Sequence, residues 1–422
     1  QKDVEKLKEA HDRVYTAGFY KGVMTAGPFK GMTVQQAKPL QKKAMIDDGE
    51  AFTYLEPEGP GFPRSTPDVE CVVALVDQWY LKYGEKEWKA SVGAHLESTL
   101  ECYNPAVKKL FRETLEWLSD WACSRSFGLG TRLPWDPQFL IESLSDSTIY
   151  MAFYSVAHLL QGATPTEDVI NGKAAGPAGV KPEQCTSAFW DYILLGKPYD
   201  GSVGVAEGTM KKLRTEFAFW YPVDLRVSGK DLIGNHLTMS LYNHAAVWKD
   251  DPSMWPRSFY CNGHVMVDAE KMSKSKGNFI TLPGAIGEWG ADATRFTCAD
   301  AGDGTENANF DREVCNKAIL NFTTELETLA STLSGKGKEM KLRPAGAAGV
   351  WLDGWFENEI GRLAAATAAA YKAMKYKEAV KYGWYGMQEA RNRYRTGTAS
   401  VGVLEALYRK WAEAQALVMA PM

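Results

Sequence analysis

The chain has 422 residues, which at about 100–200 residues per domain implies two to four domains. Apolar residues make up 45% and charged residues 24%, ordinary globular usage that excludes a disordered, collagen-like or small disulfide-stapled protein. The 48 basic and 52 acidic residues leave a net charge of −4, which by itself points to no nucleic-acid partner, so what matters is whether the cations cluster.

Residues 1–55 read as short helices and loops, with an Ala- and Lys-rich helix near Val34 to Asp48. Pro57, Pro60, Pro63 and Pro67 then follow closely, which no helix or central strand tolerates, and mark a linker. Val69, Cys71, Val73 and Leu75 alternate as a strand does. Val107, Leu110, Phe111, Leu115 and Leu118 follow helical spacing and predict one apolar face. The stretch from Trp121 to Trp135 reads as a helix end and a glycine-rich loop. The longest apolar run, Ile149 to Leu160, is interrupted by Ser155 and His158 and is shorter than the ~20 residues that span a bilayer, so no membrane partner is expected. Gly162 to Gly179 reads as a mobile surface insertion. Val223, Leu225 and Val227 predict a strand running into Gly229, and Phe259 to Val267 another. Strands separated by helical segments predict a parallel sheet with crossovers. From about Glu313 the chain reads as entirely helical, with Trp351, Leu352, Trp355 and Phe356 marking a buried face. Its 7 cysteines form no Cys-x-x-Cys pair, and their odd number favours a reducing compartment over a disulfide framework. The sequence opens on Gln1 without a signal-peptide pattern.

Lys271-Met272-Ser273-Lys274-Ser275 is the sharpest chemical signal. Two ammonium groups, two hydroxyls and several backbone N–H groups on one small loop suit a polyphosphate, although an arbitrary lysine-rich pentamer is ordinarily a solvated turn. Gly229 and Asp231, with His236 five residues on, follow the predicted strand. Ligands of open parallel sheets bind beyond such strand ends, glycine permits close backbone approach, and a carboxylate accepts from ribose hydroxyls. Alone, a glycine and aspartate after a strand usually form a turn and helix cap. Asn262-Gly263 is equally compatible with a two-residue hairpin. From Arg362 to Arg395, Lys and Arg outnumber Glu by eight to two. That cluster, interleaved with Tyr371, Tyr376, Tyr382, Trp384, Tyr385 and Tyr394, suits RNA phosphates and bases as well as it suits a solvated helix face.

Lys271 to Ser275 is the five-residue signature of class I aminoacyl-tRNA synthetases. The phrases CVVALVDQWYLKYG, LIESLSDSTIYMAFYSVAHLL, FWYPVDLRVSGKDLIGNHL and GHVMVDAEKMSKSKGNF resemble the leucyl-tRNA synthetases of the cytosolic eukaryotic and archaeal type. The Trp121–Trp135 stretch resembles the family's return from its editing insertion. The resemblance implies an α/β fold: the second half of a Rossmann-type parallel-sheet catalytic domain at 68–312, preceded by the exit of the editing insertion and a linker at 1–67. A truncated helical anticodon-binding bundle would occupy 313–422. It further implies ATP-dependent activation of leucine and transfer to tRNA(Leu) in the cytoplasm, with ATP as substrate, Mg2+ accompanying it, and no protein-bound metal. Lys271 and Lys274 would act on the phosphates in the transition state. Gly229 and Asp231 would meet the ribose, and Gly263, His264 and Val265 would lie near adenine. His236, Met272, Ser273 and Ser275 would complete the ATP site, and Arg391, Arg393 and Arg395 would meet tRNA.

Neither the family's His-x-Gly-His signature nor its threonine-rich editing site occurs in the sequence. The expectation is therefore a carboxyl-proximal part of a longer enzyme, inactive without an amino-terminal catalytic and editing part and compatible with a larger assembly. The alternatives are a non-catalytic split or repurposed synthetase body that binds tRNA or protein, and another class I enzyme or nucleotidyltransferase.

Overall fold

The computed structural model describes residues 2–53, 76–273, 277–335, 340–344 and 346–422. The proline linker, the strand expected over Val69–Leu75, and Lys274, Ser275 and Lys276 lie outside the described residues. The chain divides into two units, Gln1–Asp77 and Gln78–Met422.

In the first unit, α1 (Lys2–Thr16) precedes α2 (Val34–Asp47). Helix α2 begins where the sequence places it: the Thr33 hydroxyl accepts the Gln36 N–H and the Gln36 side chain accepts the Thr33 N–H, a reciprocal cap that satisfies two otherwise free donors.

The second unit opens with β1 (Tyr80–Lys82), α3 (Lys86–Ser98) and α4 (Pro105–Trp117). Asn104 caps α4 by accepting the Ala106 N–H at 2.8 Å, and Pro105 follows at the first turn, where its missing N–H is no loss. Val107, Phe111 and Leu115 bury the expected face, with Leu118 just beyond it and Leu110 on the exposed edge. Strands β2 (Asp120–Ala122), β3 (Ser124–Arg125), β4 (Arg132–Leu133) and β5 (Asp136–Ile141) follow. The 121–135 stretch is thus antiparallel ladder, not helix end: β2 pairs with β1, and β3 and β4 flank β5.

After short α5 (Ser143–Asp146) come α6 (Tyr150–Leu160), α7 (Glu167–Ile170), α8 (Ser187–Leu195) and α9 (Glu207–Trp220). The 162–179 segment is surface-lying, but its far end docks on α6: the Ala178 N–H reaches the Leu159 carbonyl at 2.8 Å. A side chain at Gly176 would sit 1.8 Å from the Leu160 oxygen, so that contact is built for glycine.

Strand β6 (Arg226–Gly229) and strand β7 (Phe259–Asn262) are parallel, joined through α10 (Thr238–Val247). The expected alternation is displaced. Strand β6 starts only at Arg226, and Val227 is 62% exposed. The inward face belongs to Phe259 and Cys261, with the Arg226 guanidinium over the Tyr150 ring at 4.9 Å. One core joins these elements, from Tyr83 and Phe111 through Phe189 and Phe217 to Tyr242 and Cys261.

The expected strand over Phe259–Val267 breaks at Gly263. Strand β8 (Val265–Val267) turns into β9 (Glu270–Lys271) and pairs in parallel, beyond α11 (Leu282–Trp289) and α12 (Ala291–Ala301), with β10 (Ala308–Phe310). Between Arg226 and Phe310 the parallel pairing is thus split between β6–β7 and β8–β10. Asn262-Gly263 makes no hairpin, because the strands on its two sides belong to different sheets.

Helix α13 (Arg312–Leu333) leads into the last helices, α14 (Trp351–Lys372), α15 (Tyr376–Val380), α16 (Met387–Gly397) and α17 (Glu405–Met419). This region is not wholly helical, since β11 (Leu342–Arg343) and β12 (Val403–Leu404) form a parallel two-residue ladder. Phe356, Ile360 and Leu363 of α14 bury against Tyr394, Tyr408 and Trp411. Trp351 is 79% exposed; it precedes the spacing that carries that face inward. No helix of the described residues is long and apolar enough to cross a membrane.

Candidate nucleotide and RNA site

Parallel pairing brings the carboxyl ends of β6 and β7 level, with Gly229 opposite Asn262. Asp231 lies two residues past the end of β6, and His264 two past the end of β7. Their side chains approach to 3.9 Å between His264 Nε2 and Asp231 Oδ1. A side chain at Gly229 would come within 2.5 Å of Asp231 Oδ1, so glycine there lets the carboxylate lie back over the strand end. At Gly263 the demand is stricter. An added Cβ would sit 2.0 Å from the backbone oxygen of Glu306, and its N–H donates to the Gly304 carbonyl at 2.9 Å. The two glycines singled out in the sequence therefore admit a side chain and a neighbouring backbone, respectively, at the same end of the strands.

The segment 302–310, which sequence reasoning passed over, holds this end together. Lys230 Nζ donates to the Thr305 carbonyl at 2.7 Å, and Asn307 Oδ1 accepts the His264 N–H at 3.2 Å. Asn309 Oδ1 accepts the Ala269 N–H at 2.6 Å. The available signal is the run Gly302-Asp303-Gly304-Thr305-Glu306-Asn307, whose composition says loop but not which backbone it meets. Val227, Tyr260, Gly263 and Val265 line a cavity of about 390 Å³ together with Thr294 and Cys298 of α12.

Lys271 ends β9, exposed and with no ion pair among the described residues. Met272 and Ser273 follow, both half-buried, and the next three residues, including Lys274 and Ser275, are outside the described residues. His236 stands apart from this loop's chemistry. It is buried, its Nε2 lies 3.0 Å from the Ser147 carbonyl, and its ring lies 5.9 Å from that of Tyr150. Burial pulls its pKa down, partly opposed by the Ser147 hydrogen bond, so it sits as a neutral imidazole facing the 147–150 segment.

The three bundle arginines also separate. Arg391 is internal: it pairs with Glu325 and stacks its guanidinium 4.9 Å from the Trp411 ring centroid, and its side chain is only 12% exposed. Arg393 and Arg395 face solvent, with Arg393 paired to Glu389 one turn earlier. Of the interleaved aromatics, Tyr394 is buried, whereas Tyr385 is exposed and donates to Asp300 at 3.1 Å. Among the described residues no cluster of His, Cys, Asp or Glu has the makings of a metal site.

A family model described as the class I (C) tRNA synthetase catalytic domain matches residues 212–319, which contain both strand ends, the lysine loop and segment 302–310. A cytoplasmic leucine–tRNA ligase of Pongo abelii is 45% identical across 100% of this chain and 35% of its own length. The corresponding figures are 44%, 100% and 37% for the cytoplasmic enzyme of Arabidopsis thaliana, and 37%, 100% and 42% for the leucine–tRNA ligase of Aeropyrum pernix. The chain spans little more than a third of the length of these relatives. By sequence the chain is similar, along its whole length, to part of these leucine–tRNA ligases.

Proposed function

We propose that this chain supplies the carboxyl-side half of an ATP site and an RNA-facing helical bundle to a leucyl-tRNA synthetase working in the cytoplasm. The reaction is activation of leucine by ATP, with pyrophosphate leaving, and transfer of leucyl to tRNA(Leu). The observation that carries this reading is the approach of Asp231, just beyond the end of β6, to His264, just beyond the end of β7, with Lys271 paired opposite Met266 in the strand that follows. Asp231 is placed to accept from ribose hydroxyls, and the Gly263–Val265 backbone to run beside the base. Lys271 and Lys274, with Met272, Ser273 and Ser275 between and after them, meet the phosphates. Charge grows on pyrophosphate as the bond to the α-phosphorus breaks, and fixed cations aimed at that charge lower the barrier more than they strengthen ground-state binding. Mg2+ enters as part of the substrate, on the ATP phosphates. For tRNA, Arg393 and Arg395 are the phosphate-facing pair, and Arg391 supports the bundle behind them.

The test is leucine-dependent ATP–pyrophosphate exchange and aminoacylation of tRNA(Leu) by the full-length protein that contains this chain, with isoleucine and valine as competitors. Exchange that prefers leucine supports the reading. Its absence, with tRNA binding retained, replaces it with a non-catalytic tRNA-binding body.

A further inference from the structure

The lysine loop leaves β9 at Lys271 and returns at Gly277 and Asn278. Asn278 ties its two sides together: its Oδ1 accepts the Ser273 N–H at 2.8 Å, and its Nδ2 donates to the Lys271 carbonyl at 3.1 Å. One planar amide thus satisfies a donor and an acceptor on the pentamer's backbone. Alanine has neither group, aspartate lacks the donor, and glutamine sets the amide one methylene further out. On the other side of Lys271, the β8–β9 turn is made by Asp268 and Ala269 at φ 49° and 64°, a left-handed region that side chains disfavour. The Asn309 side chain and the Phe310 carbonyl accept the N–H groups of Ala269 and Asp268. Lys271 therefore has its main chain fixed from both directions, upstream through Asn309 and downstream through Asn278.

We propose that Asn278 is a positioning residue for the phosphate-directed Lys271, tying down the backbone from Lys271 to Ser273 so that this lysine is presented at a fixed place. The proposal rests on the reading of this site as an ATP site. Asn278 acts through the loop backbone, so its effect falls on the step in which the lysine meets developing charge, not on ATP capture.

The experiment measures leucine-dependent exchange in the full-length protein with Asn278→Ala and Asn278→Asp, alone and with Lys271→Ala, alongside thermal melting. Asn278→Ala is expected to lower kcat roughly 10- to 100-fold while the KM for ATP stays within about threefold. Asn278→Asp, which keeps the acceptor for Ser273, falls between it and wild type. In the Lys271→Ala background the Asn278→Ala loss shrinks severalfold, because both changes act through one lysine. A kcat within about twofold of wild type, a full loss in the Lys271→Ala background, or a loss that merely follows lowered melting overturns the proposal. Wild-type protein that lacks exchange overturns the ATP-site reading and this proposal together; active wild type with an unaffected Asn278→Ala overturns this proposal alone.

Discussion

The helical bundle and the strand ends use charge in opposite ways. In the bundle, Arg343 is buried and fully partnered: Nη2 donates to Asp353 at 2.6 Å, Nε to the Gly402 carbonyl and Nη1 to the Ala348 carbonyl. Asp353 also accepts from the Tyr394 hydroxyl and the Val350 N–H. Burial alone would raise its pKa, but the hydrogen bonds from Tyr394 and Arg343 outweigh it and hold the carboxyl below its usual range. At the strand ends, Lys271 has no ion pair among the described residues, and Asp231 and His264 approach only to 3.9 Å. What is fixed there is backbone, by glycine contacts and asparagine amides. Arg343 and Asp353 thus hold the bundle together, whereas Lys271, Asp231 and His264 form no comparable network among the described residues.

The largest effect that sharpens this contrast is expected from Asp353→Ala. It leaves the buried Arg343 unpaired, and breaking such a pair from one side costs about 3–5 kcal/mol. Urea unfolding should show that loss while exchange per folded molecule is unchanged; a loss below about 1 kcal/mol would mean the network adds little cohesion. Next comes pH. Burial holds the His244 pKa down to about 4, against about 6.5 in the unfolded chain. Between those values the unfolded state binds a proton that the folded state refuses, so stability falls as pH drops through that window. His95 and His236 are lowered by burial in the same direction. Up to about 3 kcal/mol from His244 should be lost between pH 7 and 4, and His244→Gln should flatten that part of the profile. A wild-type profile already flat there would contradict the buried neutral imidazole. The smallest effects separate the arginines. Arg391→Gln should lower stability by about 1–3 kcal/mol, because Glu325 loses its partner, yet leave the salt dependence of tRNA binding intact. Replacing Arg393 and Arg395 together with Gln should cost little stability but flatten that salt dependence by up to about two phosphate contacts. An unchanged slope would place the tRNA path on another face.

Local signals were legible where chemistry is local. The α2 helix could be read from composition and the helical face of Val107, Phe111 and Leu115 from spacing, whereas of β6 only its run into Gly229 could, the alternation before it being displaced. Pairing was not. Whether Phe259–Val267 is one strand or two depends on Gly304 and Glu306 crossing at Gly263, some 40 residues later, and no period in the segment encodes that crossing. The 121–135 ladder was missed because strands of two to six residues are too short for alternation to register. Arg391 was indistinguishable from Arg393 by composition, yet helical rotation turns one toward Glu325 and Trp411 and the other toward solvent. The lysine pentamer itself was legible, but the amide that closes it lay outside the motif.

The central claim, that the lysines of the 271–275 signature meet the leaving phosphates, is tested most directly by leucine-dependent exchange in full-length Lys271→Ala and Lys274→Ala proteins. Each is predicted to lose roughly 10²- to 10³-fold in kcat, as removal of one transition-state donor does, with a smaller change in ATP binding and an unchanged melting temperature. Rates within about twofold of wild type for both would contradict the account and return the loop to a solvated basic turn.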